Sequence, residues 1–131
     1  MASLAAFLDD ASKQRFDWGK HDCCQLVRGW VRLQRGFDPA PGWSYSSEMG
    51  AALLAHRHGG LIDLIGLLAD RAGLPPTGAP TEGDIGVISA LTNDGIMPVA
   101  AIHGSSGWAF ITKGGLSSAR VPALAAWRVH G

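Results

Sequence analysis

Two adjacent thiols follow an aspartate in the stretch Phe16-Asp17-Trp18-Gly19-Lys20-His21-Asp22-Cys23-Cys24-Gln25-Leu26-Val27-Arg28, and they are the only cysteines in the chain. Asp22 is a residue type that caps helix starts, and Leu26, Val27, Trp30 and Val31 recur after it at helical spacing. Cys23 therefore falls in the first turn of an amphipathic helix, among amide N–H groups that have no partner within the helix. The helix dipole and a nearby cation, Lys20 or a protonated His21, lower a thiol pKa there, and the thiolate is the nucleophile. Cys24 shares a helix face with Val27 and Val31 and is expected to pack inward, leaving Cys23 as the more exposed thiol. The competing reading is a buried structural cysteine, since free Cys is among the most buried residue types. A redox pair is the least favoured reading, because a bridge between sequence neighbours is strained.

A thiol hydrolase needs a base, which points to the histidines. In the second half of the chain these are His103 and His130. His103 stands at the end of an expected strand, and His21 is the local substitute beside the thiol. His56 and His58 lie two apart on an expected helix and point to different sides, so they make a poor metal pair. With His21 and the two cysteines, nothing completes a four-ligand set, and no metal or cofactor is expected. Gly104-Ser105-Ser106-Gly107 lies between strands, which suits a hairpin turn better than a phosphate loop.

These residues need a scaffold, and 131 residues provide for a single domain spanning 1–131 with a core of its own. Lys plus Arg and Asp plus Glu both number 11, so no basic stripe argues for nucleic acid. No signal-peptide pattern opens the chain, and no run of eighteen apolar residues suggests a membrane partner, so the expected place of synthesis is the cytoplasm. Leu4, Phe7, Leu8 and Ala11 mark a first helix over about 3–13. The cysteine helix runs to Gln34 or Arg35 and stops at Gly36. Two more helices follow, over 48–58 ending at Gly59-Gly60 and from Leu61 to Gly73, the second strongly apolar. Prolines and glycines across 74–83 divide this helical half from a strand half. Strands are expected over 84–89, 97–103, 108–112 and about 126–129. Helices first and antiparallel strands after is the α+β pattern, with the cysteine helix packed on the sheet.

A thiol at the head of a helix, preceded by Trp18-Gly19 and followed by the Glu82-Gly83-Asp84-Ile85 strand opening, resembles the papain-like fold of the NlpC-type cell-wall cysteine peptidases. The fuller set is Phe16-x-Trp18-Gly19-x-x-Asp22-Cys23, Tyr45-Ser46-Ser47-Glu48, Arg57-His58-Gly59-Gly60, Gly83-Asp84 and Ala126-Trp127-Arg128-Val129. It is similar to an uncharacterised phage and prophage protein family related to those peptidases. The resemblance implies N-terminal helices on a C-terminal antiparallel sheet, with Cys23 as nucleophile. The NlpC-type pattern puts a histidine base at the opening of the second strand. Here Pro98-Val99 stands at that opening, and His103 lies about 13 Å farther along at the usual strand rise.

Two functions follow from the resemblance. One is a phage-associated thiol hydrolase of the cell-wall peptide amidase or endopeptidase type, with His103 or His21 as base. The other is a catalytically inactive scaffold that assembles or docks with phage structural proteins, associated with the tail or virion.

Overall fold

The computed structural model describes residues 3–130 and contains four helices followed by five strands. The helices begin where side chains satisfy free amides. Ser3 Oγ accepts from the Ala6 N–H ahead of α1 (Leu4–Ser12), and Asp22 accepts from Gln25 N–H ahead of α2 (Cys23–Arg35). Ser47 accepts from Gly50 N–H ahead of α3 (Glu48–Arg57), and α4 (Leu61–Arg71) follows the Gly59-Gly60 break. At the far end of α2, Gly36 takes the left-handed conformation, φ 80°, and its N–H returns to Arg32 O, a common way to close a helix.

The strands are β1 (Ile85–Thr92), β2 (Gly95–Gly104), β3 (Gly107–Thr112), β4 (Gly115–Ala119) and β5 (Ala123–Trp127). They form one antiparallel sheet in the order β4-β3-β2-β1-β5. The α+β arrangement of helices before an antiparallel sheet is therefore present. Three boundaries differ from the sequence expectation. β1 and β2 continue beyond 84–89 and 97–103 into a hairpin closed at Thr92 and Gly95, whose exposed Leu91 and Ile96 face each other across the strands. β4 was not anticipated, because Leu116-Ser117-Ser118 has little strand character; pairing with β3 holds it. The last strand ends at Trp127, and the chain beyond it is fastened by Val129 N–H donating to Asp84 Oδ1 at 3.0 Å.

One sheet face meets the helices. Val27, Trp30 and Val31 of α2 join Leu64, Ile65 and Leu68 of α4 over Ile85, Val87, Ala100 and Ile102. A smaller cluster holds Ile88, Val99, Ala101, Trp108, Phe110 and Ala126, with Ala119, Val121 and Ala123 packed against it. Two-sided burial explains why β1 and β2 read as continuous apolar runs instead of alternating ones. Trp30 is 1% exposed and donates its indole N–H to Gly83 O at 2.8 Å, which ties α2 to the segment entering β1. Asp84, expected to open that strand, lies just before it, fully buried, with Thr81 N–H donating to its carboxylate at 2.8 Å.

Candidate active site around Cys23

Asp22 fixes the start of α2 through three donors. Gln25 N–H donates to Oδ1 at 2.9 Å, Gly19 N–H to Oδ2 at 2.8 Å, and the Tyr45 hydroxyl reaches both oxygens at 2.9 and 2.8 Å. Asp22 is 2% exposed, and this partner set satisfies its oxygens inside the fold. Gly19 has φ 84°, and a Cβ there would collide with the Tyr45 carbonyl oxygen. The loop before the helix and the loop carrying Tyr45 can meet this closely only with glycine at that position.

Gln25 links Tyr45 to Arg28: its Nε2 donates to the Tyr45 hydroxyl at 3.5 Å and its Oε1 accepts from an Arg28 terminal nitrogen at 3.3 Å. Arg28 grips Asp38 with Nε at 2.9 Å and a terminal nitrogen at 2.6 Å, and its guanidinium lies 5.9 Å from the Trp43 ring centroid. The hydrogen bond from Arg28 lowers the Asp38 pKa to about 2. Burial raises the Tyr45 phenol far above its usual value, so the hydroxyl remains a donor.

Cys23 and Cys24 are both half-buried, so the expected contrast of an open Cys23 and an enclosed Cys24 is absent. Cys24 does pack on the helix-side core, but Cys23 is covered as well, because it touches both hydrophobic clusters. The two thiols differ in acidity instead. Hydrogen bonding from Cys24 lowers the Cys23 pKa, the amides of Ala100 and Cys24 assist, and burial and the Asp22 charge oppose. The Cys24 pKa is pushed well up, first by its role as donor to Cys23 and then by burial. The helix start favours the same order, with Cys23 the more acidic thiol.

Both thiols line a cavity of about 480 Å³. Leu54 and Ala55 of α3, Leu61 and Leu64 of α4, Val99 of β2 and Ile111 of β3 supply much of its wall. Asp94 and Lys113, on the β1–β2 and β3–β4 turns, pair at 3.3 Å on its exposed side. Pro98 also lines it; expected at the opening of the second strand, it is the fourth residue of β2, which begins at Gly95.

The two expected bases are elsewhere. His103 is packed edge-on against Trp108, ring centroids 4.9 Å apart, in a separate depression with Ser105 and Arg120. Alternation along β2 puts it on the Val99 and Ala101 face, as the sequence suggested, at the far end of the strand. His21 is buried, its Nε2 3.0 Å from Ala11 O, and its backbone pairs with Asp17; it braces the loop against α1. Neither lines the cavity. Among the described residues, the imidazole that does is His56, exposed in the last turn of α3. Its position depends on how α3 folds over the cysteine helix, which helical spacing alone does not encode.

Against known proteins, residues 1–129 match a family described as Domain of unknown function (DUF6950). No curated protein and no solved structure matches the chain.

Proposed function

The chain belongs to the DUF6950 family, and we propose that it is a papain-like thiol hydrolase of NlpC type in which Cys23 attacks an acyl carbonyl. The observation that carries this reading is the place of Cys23 in the first turn of α2, lining a cavity of about 480 Å³, and the lowered pKa of its thiol agrees with it. The thiolate adds to the carbonyl carbon, and the free first-turn amides of α2 are available to the developing oxyanion. Water must then cleave the thioester, and His56 is the imidazole on the cavity to test as its base. The sequence resemblance supplies the setting, a phage or prophage protein, and a first substrate class, cell-wall peptide.

A second reading is supported by one observation. Pro98, the residue that the sequence resemblance aligns with the NlpC-type base, lines the cavity and has no side chain that could take a proton. On this reading the protein is an inactive papain-like scaffold that docks with phage structural proteins. Incubation with cell-wall peptide fragments separates the two. Cleavage by the parent and none by Cys23→Ala supports the hydrolase; equal, background cleavage by both supports the scaffold.

A further inference from the structure

The cavity is more apolar than a charged cell-wall peptide requires. Leu54, Leu61, Leu64, Val99 and Ile111 face it beside the thiols, and its volume is in the range that encloses a small ligand. Polar lining comes from Asp22, Tyr45, Glu48 and His56 on the helical side and from the turns, where Asp94 and Lys113 pair at 3.3 Å. The result is a largely apolar chamber with a thiol in its wall.

The proton inventory narrows the leaving group. In a cysteine–histidine pair the imidazolium returns a proton to a departing amine. Here neither His21 nor His103 lines the cavity, and His56, the imidazole that does among the described residues, is exposed in the last turn of α3. An amine expelled without a proton is a poor leaving group, whereas a thiolate departs unaided.

Resting on the reading of Cys23 as an acylatable nucleophile, we propose that the cavity takes the aliphatic chain of an acyl thioester and that Cys23 accepts the acyl group. The Cys23 sulfur forms a bond to the carbonyl carbon, the carbon–sulfur bond of the donor breaks, and the donor sulfur leaves with the electron pair as a thiolate. Charge and protons balance with no co-reactant.

The test is acyl transfer from N-acetylcysteamine thioesters bearing acetyl, butanoyl and octanoyl groups, followed by intact mass and normalised to the same donors reacting with a free small thiol. The octanoyl donor should acylate Cys23 at least about tenfold faster than the acetyl donor, well within the roughly fourfold per methylene that full burial allows. Cys23→Ala should acquire no acyl group, and an octanoyl amide should transfer more slowly than the octanoyl thioester. Ala51→Phe, which fills the cavity from α3, should keep acetyl transfer and lose the octanoyl preference, with folding checked by circular dichroism. Equal acetyl and octanoyl rates on Cys23, or a preference untouched by Ala51→Phe, would overturn the aliphatic assignment and leave the nucleophile standing. No transfer from any donor while iodoacetamide still modifies Cys23 would overturn both.

Discussion

Helix α2 buries Leu26, Val27, Trp30 and Val31, while α3, which lines the same cavity, has no buried residue at all. Both begin at a side-chain cap, so capping does not account for the difference. α2 lies on the sheet and reaches across the core to Gly83 through Trp30; α3 leaves Met49 and Leu53 in solvent at 74% and 47% exposure. The contrast assigns different tasks to the two sides of one site. A nucleophile needs fixed geometry, which dense packing supplies, whereas a wall that admits ligand gains from having little to break when it shifts.

Substitutions can sharpen that contrast. Trp30→Ala should cost about 3 to 5 kcal/mol, since it removes a buried indole and leaves Gly83 O without its donor, while Leu53→Ala on α3 should stay within about 0.5 kcal/mol. Denaturant melts of the two variants measure this, and similar losses would mean that α3 is packed as firmly as α2. Asp22→Ala should follow at about 2 to 3 kcal/mol, because it deletes a cap and strands the Gly19 N–H and Tyr45 hydroxyl. Asp22→Asn, which still accepts from the helix amides, should recover a good part of that loss in the same melts.

A smaller effect is expected in acid. Asp38 titrates at about 2 in the folded protein, lowered by Arg28, against an unfolded value of about 3.9. Its folded pKa is depressed, so its contribution is complete above about pH 4 and is lost as pH falls through about 2. Allowing for the partial exposure of the pair, the loss should be roughly 1 kcal/mol. The stability curve of Asp38→Asn should lack that part of the acid decline; a slope identical to that of the parent would remove the Arg28 brace from the account of how Tyr45 is held.

The helical half was legible in the sequence because its boundaries are written in local chemistry. Ser3, Asp22 and Ser47 cap the starts, Gly36 and Gly59-Gly60 mark stops, and the α2 stripe from Leu26 to Val31 is the buried one. The sheet was less so. β4 is held by its partner and not by its own residues, and the outer part of the β1–β2 hairpin is exposed, so neither carried a burial pattern to read. At the site, Asp22 and Cys23 were visible as a cap and a first-turn thiol. The Tyr45 clasp on Asp22, the acidity difference between the two thiols, and the arrival of His56 at the cavity all depend on contacts between segments distant in sequence.

The central claim, that Cys23 is the more acidic and more reactive of the two thiols, is tested most directly by the pH dependence of alkylation. The folded protein is pulsed with limiting iodoacetamide from pH 5 to 10, digested with trypsin, and the His21–Arg28 peptide fragmented to locate the label. Modification of Cys23 should dominate at neutral pH, with its midpoint below that of an ordinary thiol at about 8.5, and Cys24→Ala should shift that midpoint upward by removing the donor. Preferential labelling of Cys24, or a Cys23 midpoint at or above the ordinary value and unmoved by Cys24→Ala, would contradict the assignment of Cys23 as the activated nucleophile.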